Sequence, residues 1–139
     1  MGDNTSWKSV EKSPMDIRQQ KGMIMEWYED LANAIIERAV DDYIVAVRYL
    51  YYLIDNKYGA ISKIAQDEEK RVHAKYYTST ELQCIYERQV NAQRKKVKDI
   101  ENFFFSQWYG VLTKVDGKSL LSRIKTKIKE EYGIDCDLL

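Results

Sequence analysis

The 139-residue chain is poor in the residues that form turns, with one proline and six glycines. An all-β protein with many hairpins needs more of both residues at its turns. The chain also has no uninterrupted run of about 18 apolar residues, which a membrane-spanning helix requires. Its first 22 residues are polar and lack the apolar segment of a signal peptide. We therefore predict no membrane contact and a cytoplasmic location.

Metal-binding and nucleophilic residues are equally scarce, with two cysteines and one histidine. Cys84 and Cys136 lie far apart in the sequence, and we expect both to be reduced. A structural zinc site takes four cysteine or histidine ligands, and a di-iron site needs two Glu-x-x-His motifs. We therefore predict no metal, no cofactor and no catalytic residues, and expect a non-enzymatic protein.

The charges cancel, because 22 basic side chains face 22 acidic ones. A large positive net charge would have favoured binding to nucleic acid or to an anionic membrane, and it is missing. Hydrophobic residues make up 45% of the chain, which is enough for a folded domain.

Helical periodicity dominates the first half of the chain. Residues 1–12 are polar and are predicted to be a mobile tail, and Ser13-Pro14 is a helix-start signal. Gly22 is expected to end or bend this first helix. An apolar residue then recurs every three or four positions for about thirty residues. This stripe comprises Ile24, Trp27, Leu31, Ile35, Ala39, Tyr43, Val47, Leu50 and Ile54.

The remaining sequence predicts further helices. Asp55 to Gly59 is expected to stop the first long helix, with Gly59 as a left-handed cap. A weaker helix follows over residues 60–73, and Thr78 with Glu81 fits a capping box for a second long helix. Ser106 and Asp116-Gly117 are expected to start two more helices, and Gly133 to end the last. We predict an all-α bundle of four to five helices, two of them long, that forms a single domain over residues 13–139.

Acidic residues are concentrated on the first long helix. Glu26, Asp30, Glu37 and Asp41 are four, seven and four positions apart, which aligns them along one side of a helix. One interpretation is a solvated outer face. The other is a surface that binds a basic protein partner, including one evolved to hold nucleic acid.

Basic residues are concentrated on the later helices. The second long helix carries Arg94, Lys95 and Lys96, and the last helix carries Lys125 and Lys127. The acidic and basic halves could pack against each other within the bundle or across a dimer. Alternatively, these five residues could contact phosphates, which makes nucleic-acid binding the second functional hypothesis.

Aromatic residues are abundant, with eleven tyrosines, three tryptophans and three phenylalanines. Tyr49, Tyr51 and Tyr52 must point to three sides of a helix, because consecutive residues are turned by about 100°. At least one is therefore expected to face solvent. Exposed aromatic side chains are typical of surfaces that bind a partner or a second copy of the chain.

Two stretches carry a family resemblance. The first joins Leu31-Ala32-Asn33-Ala34-Ile35-Ile36 to Ala39-Val40-Asp41-Asp42-Tyr43. The second runs from Ile100-Glu101-Asn102-Phe103-Phe104-Phe105-Ser106-Gln107-Trp108 through Val111-Leu112-Thr113 to Asp116-Gly117-Lys118-Ser119-Leu120. Together they resemble small uncharacterised helical proteins of phages and prophages of Gram-positive bacteria. The resemblance implies a phage or mobile-element origin and transfers no activity, while residues 51–98 match nothing in that group and look like an insertion.

These observations favour a non-enzymatic protein-interaction module. The expected partner is a host or phage protein, with an inhibitor or modulator of a host defence protein as a specific case and a homo-oligomer as a further one. The residues predicted to bind it are Glu26, Asp30, Glu37, Asp41, Tyr51 and Tyr52.

Overall fold

The computed structural model describes residues 17–72 and 77–139, and all regular secondary structure in these two ranges is helical. The fold is an all-α bundle, as predicted. Five α-helices and a terminal 3₁₀ turn follow in order: α1 (Ile17–Asp55), α2 (Lys57–Val72), α3 (Ser79–Phe104), α4 (Gln107–Leu112), α5 (Gly117–Tyr132) and the turn Cys136–Leu138.

The longest helix, α1, is the spine of the molecule. It has 39 residues and is therefore about 58 Å long, whereas the 26 residues of α3 span about 39 Å. Helix α3 runs antiparallel to α1, because Tyr86 lies beside Leu53 and Glu101 lies beside Tyr43. Helix α1 is continuous through Gly22, so of the two predicted roles for this glycine, ending the helix was wrong.

The core consists of two hydrophobic clusters arranged along α1. One joins α1 and the end of α3 to α4, α5 and the segment after α5, with Tyr43, Phe104, Tyr109 and Ile128 among its buried residues. The other joins the end of α1 to α2 and the start of α3. Val97 on α3 packs against both clusters, so α1 and α3 connect the two ends of the core.

The predicted helix starts after residue 77 are confirmed. Thr78 and Glu81 form the capping box of α3, and Ser106 accepts a hydrogen bond from the backbone N–H of Tyr109. Asp116 caps α5 in the same way, accepting from the backbone N–H of Ser119. Gly133 ends α5 in the left-handed conformation, with φ of 70°. These caps satisfy backbone N–H groups that lack a partner inside the helix.

The predicted stop after α1 was wrong in detail. Only Asn56 separates α1 from α2, and Gly59 lies inside α2 and does not cap α1. A β-carbon at Gly59 would come within 2.5 Å of the Asn56 side chain. This glycine therefore makes room for Asn56 at a tight corner between two helices.

Several aromatic and aliphatic residues predicted for the core are on the surface. Trp27, Leu31 and Ile54 belong to the predicted stripe of α1 but are exposed. Trp108, which lies in the second stretch of the family resemblance, is 56% exposed. The middle of the stripe is buried as predicted, with Tyr43, Val47 and Leu50 almost inaccessible to solvent.

Residues 51–98 extend the bundle. Ala60 and Ile64 of α2 and Tyr86 and Val90 of α3 pack with Leu50 and Leu53 of α1 in the second cluster. The predicted tail over residues 1–12, the Ser13-Pro14 helix start and His73 lie outside the described residues.

Candidate functional site

The four carboxylates predicted to bind a partner lie along one side of α1, and we call them the acidic strip: Glu26, Asp30, Glu37 and Asp41. At about 100° per residue they fall within roughly 60° of the helix circumference. All four side chains are exposed. Among the described residues, none of the four forms an ion pair, whereas the neighbouring Asp42 pairs with Arg38 at 3.3 Å. The strip thus presents unneutralised negative charge to solvent.

Residues 26–31 of α1 are all exposed, and we call this segment the arm. Trp27 is 67% exposed, and Tyr28 and Leu31 are more than two-fifths exposed. Ala32, directly after the arm, is buried, with 2% of its surface exposed. The arm therefore presents large apolar side chains to solvent.

The two predicted tyrosines lie on different sides of α1. Tyr51 continues the line of the acidic strip, and Tyr52 is turned by about 100° from it. Tyr52 stacks on Tyr49, with ring centroids 6.2 Å apart and an interplanar angle of 15°. Both rings line a cavity of about 270 Å³ between α1 and α2, together with Lys63, Asp67 and other side chains. Tyr51 and Tyr52 are each more than one-third exposed to solvent.

The five basic residues of the nucleic-acid hypothesis do not form one surface. Arg94, Lys95 and Lys96 are consecutive on α3 and so point to three sides of the helix. Arg94 donates to the carbonyl of Leu139, and Lys95 pairs with Asp99 at 2.9 Å.

The other two basic residues, Lys125 and Lys127, also point to different sides of their helix, because they are two positions apart on α5. Lys125 is paired with Glu101 and Asp137, and Lys127 lies 3.8 Å from Glu131. Four of the five basic groups thus already have a partner within the chain.

A half-buried polar cluster lies where the last turn meets α1, α3 and α5. Tyr43 donates a hydrogen bond of 2.8 Å to Glu101 Oε2. Lys125 Nζ lies 3.6 Å from the same oxygen and 3.2 Å from Asp137 Oδ1. Sequence reasoning missed this cluster, because Tyr43 reads as an ordinary core residue and Glu101 as part of a polar face.

Burial controls the protonation of this cluster. It raises the pKa of the Tyr43 hydroxyl far above its usual value, and the hydrogen bond to Glu101 adds to the effect. Burial likewise raises the pKa of the Cys136 thiol. Burial alone would lower the pKa of Lys125, but the hydrogen bond to Asp137 and the charges of Glu101 and Asp137 outweigh it. The Cys136 thiol and the Tyr43 hydroxyl are therefore both neutral at pH 7. The ion pair between Lys125 and Asp137 attaches the last turn to α5.

Within residues 17–72 and 77–139, no group of three or more histidine, cysteine, aspartate or glutamate side chains is placed to hold a metal ion. None of the helices described there is both long and apolar enough to span a bilayer. Comparisons with protein-family models, with curated proteins and with solved structures each found no match.

Proposed function

We propose that this protein is a non-enzymatic helical module that binds a protein partner through the acidic strip and the exposed aromatic residues of α1. The arm is the observation that carries this proposal: it exposes Trp27, Tyr28 and Leu31 within the same two turns of α1 as two carboxylates of the strip. A partner that fully buried one of these large side chains would gain about 1.5–3 kcal/mol of binding free energy from that burial.

Charge indicates the kind of partner. The acidic strip contributes four negative charges that no basic group among the described residues neutralises. Such a surface accelerates association with a basic partner and repels acidic ones. The partner we propose is therefore a protein with a basic cleft, and Tyr51 extends the contact beyond the strip.

The resemblance to phage proteins supports a more specific proposal. A phage-encoded acidic helix that occupies a basic cleft would compete with the nucleic acid that the cleft normally binds. Inhibition of a nucleic-acid-binding host defence protein is therefore the specific activity that we propose.

The test is a tagged pull-down from bacterial extract treated with nuclease, compared between three forms of the chain. The strip variant Glu37→Lys with Asp41→Lys reverses two charges without touching the core. The control variant Glu69→Lys with Glu130→Lys makes the same charge change at exposed sites on α2 and α5. We expect a protein that wild type and control retain and that the strip variant loses.

The captured protein is then purified and its affinity measured directly at two salt concentrations. Affinity should fall at least tenfold in the strip variant, and the association rate should fall as salt increases. Equal binding by all three forms would rule out the acidic strip as the binding surface. A protein that is captured from untreated extract but lost after nuclease treatment would favour the basic residues of α3 and α5 instead.

A further inference from the structure

Helix α1 carries a second line of residues that the core does not use, which we call the outer seam. It lies roughly 130° around the helix from the buried side and roughly 80° from the acidic strip. Successive members are three or four positions apart: Trp27, Leu31, Ala34, Arg38, Asp42, Val45, Tyr49 and Tyr52. Six of the eight are apolar or aromatic, and Val45 is 61% exposed although it lies in the middle of the helix.

The order of residues along the outer seam is self-complementary. Its two charged residues, Arg38 and Asp42, lie on either side of the step from Ala39 to Val40. Moving outward from that step, Ala34 corresponds to Val45, Leu31 to Tyr49 and Trp27 to Tyr52. Each apolar residue of the seam thus has an apolar counterpart at the same distance, to within one residue, on the other side.

This order is what a two-fold axis requires. In an isologous dimer the same surface of both copies meets, and residue i of one copy contacts residue j of the other while j contacts i. An antiparallel pair of α1 helices centred between Ala39 and Val40 would place Arg38 opposite Asp42 of the second copy, twice. A seam with a like charge at both central positions would instead repel its own copy.

The ends of the seam also fit. Trp27 of one copy would reach Tyr52 of the other, at the mouth of the cavity of about 270 Å³ between α1 and α2. Tyr49 and Tyr52 stack there and offer a flat aromatic wall. The exposed side chains of the arm would thereby gain a surface to pack on.

We infer that the chain forms an antiparallel two-fold dimer through the outer seam of α1, with reciprocal Arg38–Asp42 ion pairs at its centre. The outer seam shares Trp27, Leu31 and Tyr52 with the surface of the proposed function, so in the dimer these residues pack on the second copy. The partner would then bind the acidic strip and Tyr51, which lie on a neighbouring side of α1. The two strips would lie side by side on one face of the dimer. A basic partner would then meet twice the negative charge of a single chain.

The experiment measures molecular mass by sedimentation over about a hundredfold range of protein concentration. The chain has a mass of 16.4 kDa, and we expect the wild type to approach twice that value. Arg38→Asp and Asp42→Arg should each raise the dissociation constant of the dimer at least tenfold, because each places like charges opposite one another at two sites. Mixing the two variants should restore association, since one copy then offers two acidic residues and the other two basic residues.

The matched control uses another exposed ion pair four residues apart, Lys95 with Asp99 on α3. Lys95→Asp and Asp99→Lys make the same charge changes away from the seam and should leave the mass unchanged. A wild-type chain that stays monomeric would overturn the inference. So would a dimer that Arg38→Asp and Asp42→Arg leave intact, or one that mixing them fails to restore. The strip variant Glu37→Lys with Asp41→Lys is assayed for partner binding, so a failure of the proposed function appears in a different measurement.

Discussion

At the scale of single residues, two glycines seven positions apart, Gly110 and Gly117, have opposite roles. Gly117 begins α5 and is packed so closely on α3 and α4 that a β-carbon would overlap the carbonyl oxygen of Phe104 and touch the Tyr109 ring. Gly110 lies inside α4, and nothing lies within 4 Å of the β-carbon it lacks. The first glycine is required by packing, and the second is not.

Adding one methyl group should therefore lower the free energy of unfolding at one of these positions and raise it at the other. Gly117→Ala should lower the free energy of unfolding by about 1–3 kcal/mol, because backbone must move to admit the methyl group. Gly110→Ala should raise it by about 0.5–1 kcal/mol, because alanine favours the helix. Urea denaturation of both variants measures this, and equal effects would show that the junction between α4 and α5 is not tightly packed.

At the scale of the helix, α1 combines two segments of different stability. Its middle is buried against α3 and α5, and Tyr43, Val47 and Leu50 are almost inaccessible. The arm, residues 26–31, is exposed at every position. A helical segment of this length is marginal in water without packing.

Hydrogen exchange should therefore differ sharply along this one helix. In a chain kept monomeric by Arg38→Asp, amides of residues 26–31 should exchange at least about a hundredfold faster than those of residues 43–50. Mass spectrometry of peptides from a time course measures both rates. Equal protection of the two segments would mean that the arm is covered within a single chain.

At the scale of the whole molecule, the polar cluster links four separate elements. Tyr43 on α1, Glu101 on α3, Lys125 on α5 and Asp137 in the last turn are joined by one hydrogen bond and two ion pairs. Burial raises the pKa of Tyr43 and of Cys136, and the neighbouring carboxylates raise that of Lys125. All three shifts make the folded chain hold protons that the unfolded chain releases at lower pH.

Stability should consequently fall in alkaline solution. Unfolded tyrosine loses its proton near pH 10, whereas Tyr43 keeps its proton in the folded state, so the free energy of unfolding decreases as pH rises through this region. Tyr43→Phe should cost about 0.5–1.5 kcal/mol at pH 7 by removing the hydrogen bond to Glu101. It should also make the alkaline decline shallower. Urea denaturation between about pH 7 and pH 10.5 measures this, and curves of equal slope would contradict a protonated Tyr43.

The sequence by itself determined the helices and most of their ends. Period-3.6 patterning predicted the helical class, and Thr78, Ser106, Asp116 and Gly133 marked boundaries because capping depends on a few neighbouring residues. It also aligned the acidic strip, since helical spacing alone places Glu26, Asp30, Glu37 and Asp41 on one side.

Tertiary structure alone decided which apolar residues are buried. Trp27 and Tyr43 share one periodic stripe, but α3 is about 19 Å shorter than α1 and cannot cover its start. The pairing of Lys125 with Glu101 likewise joins residues of different helices, which periodicity within each helix does not encode. A helical pattern shows which sides of a helix are apolar, whereas the lengths and packing of its neighbours determine which of them are left for a partner.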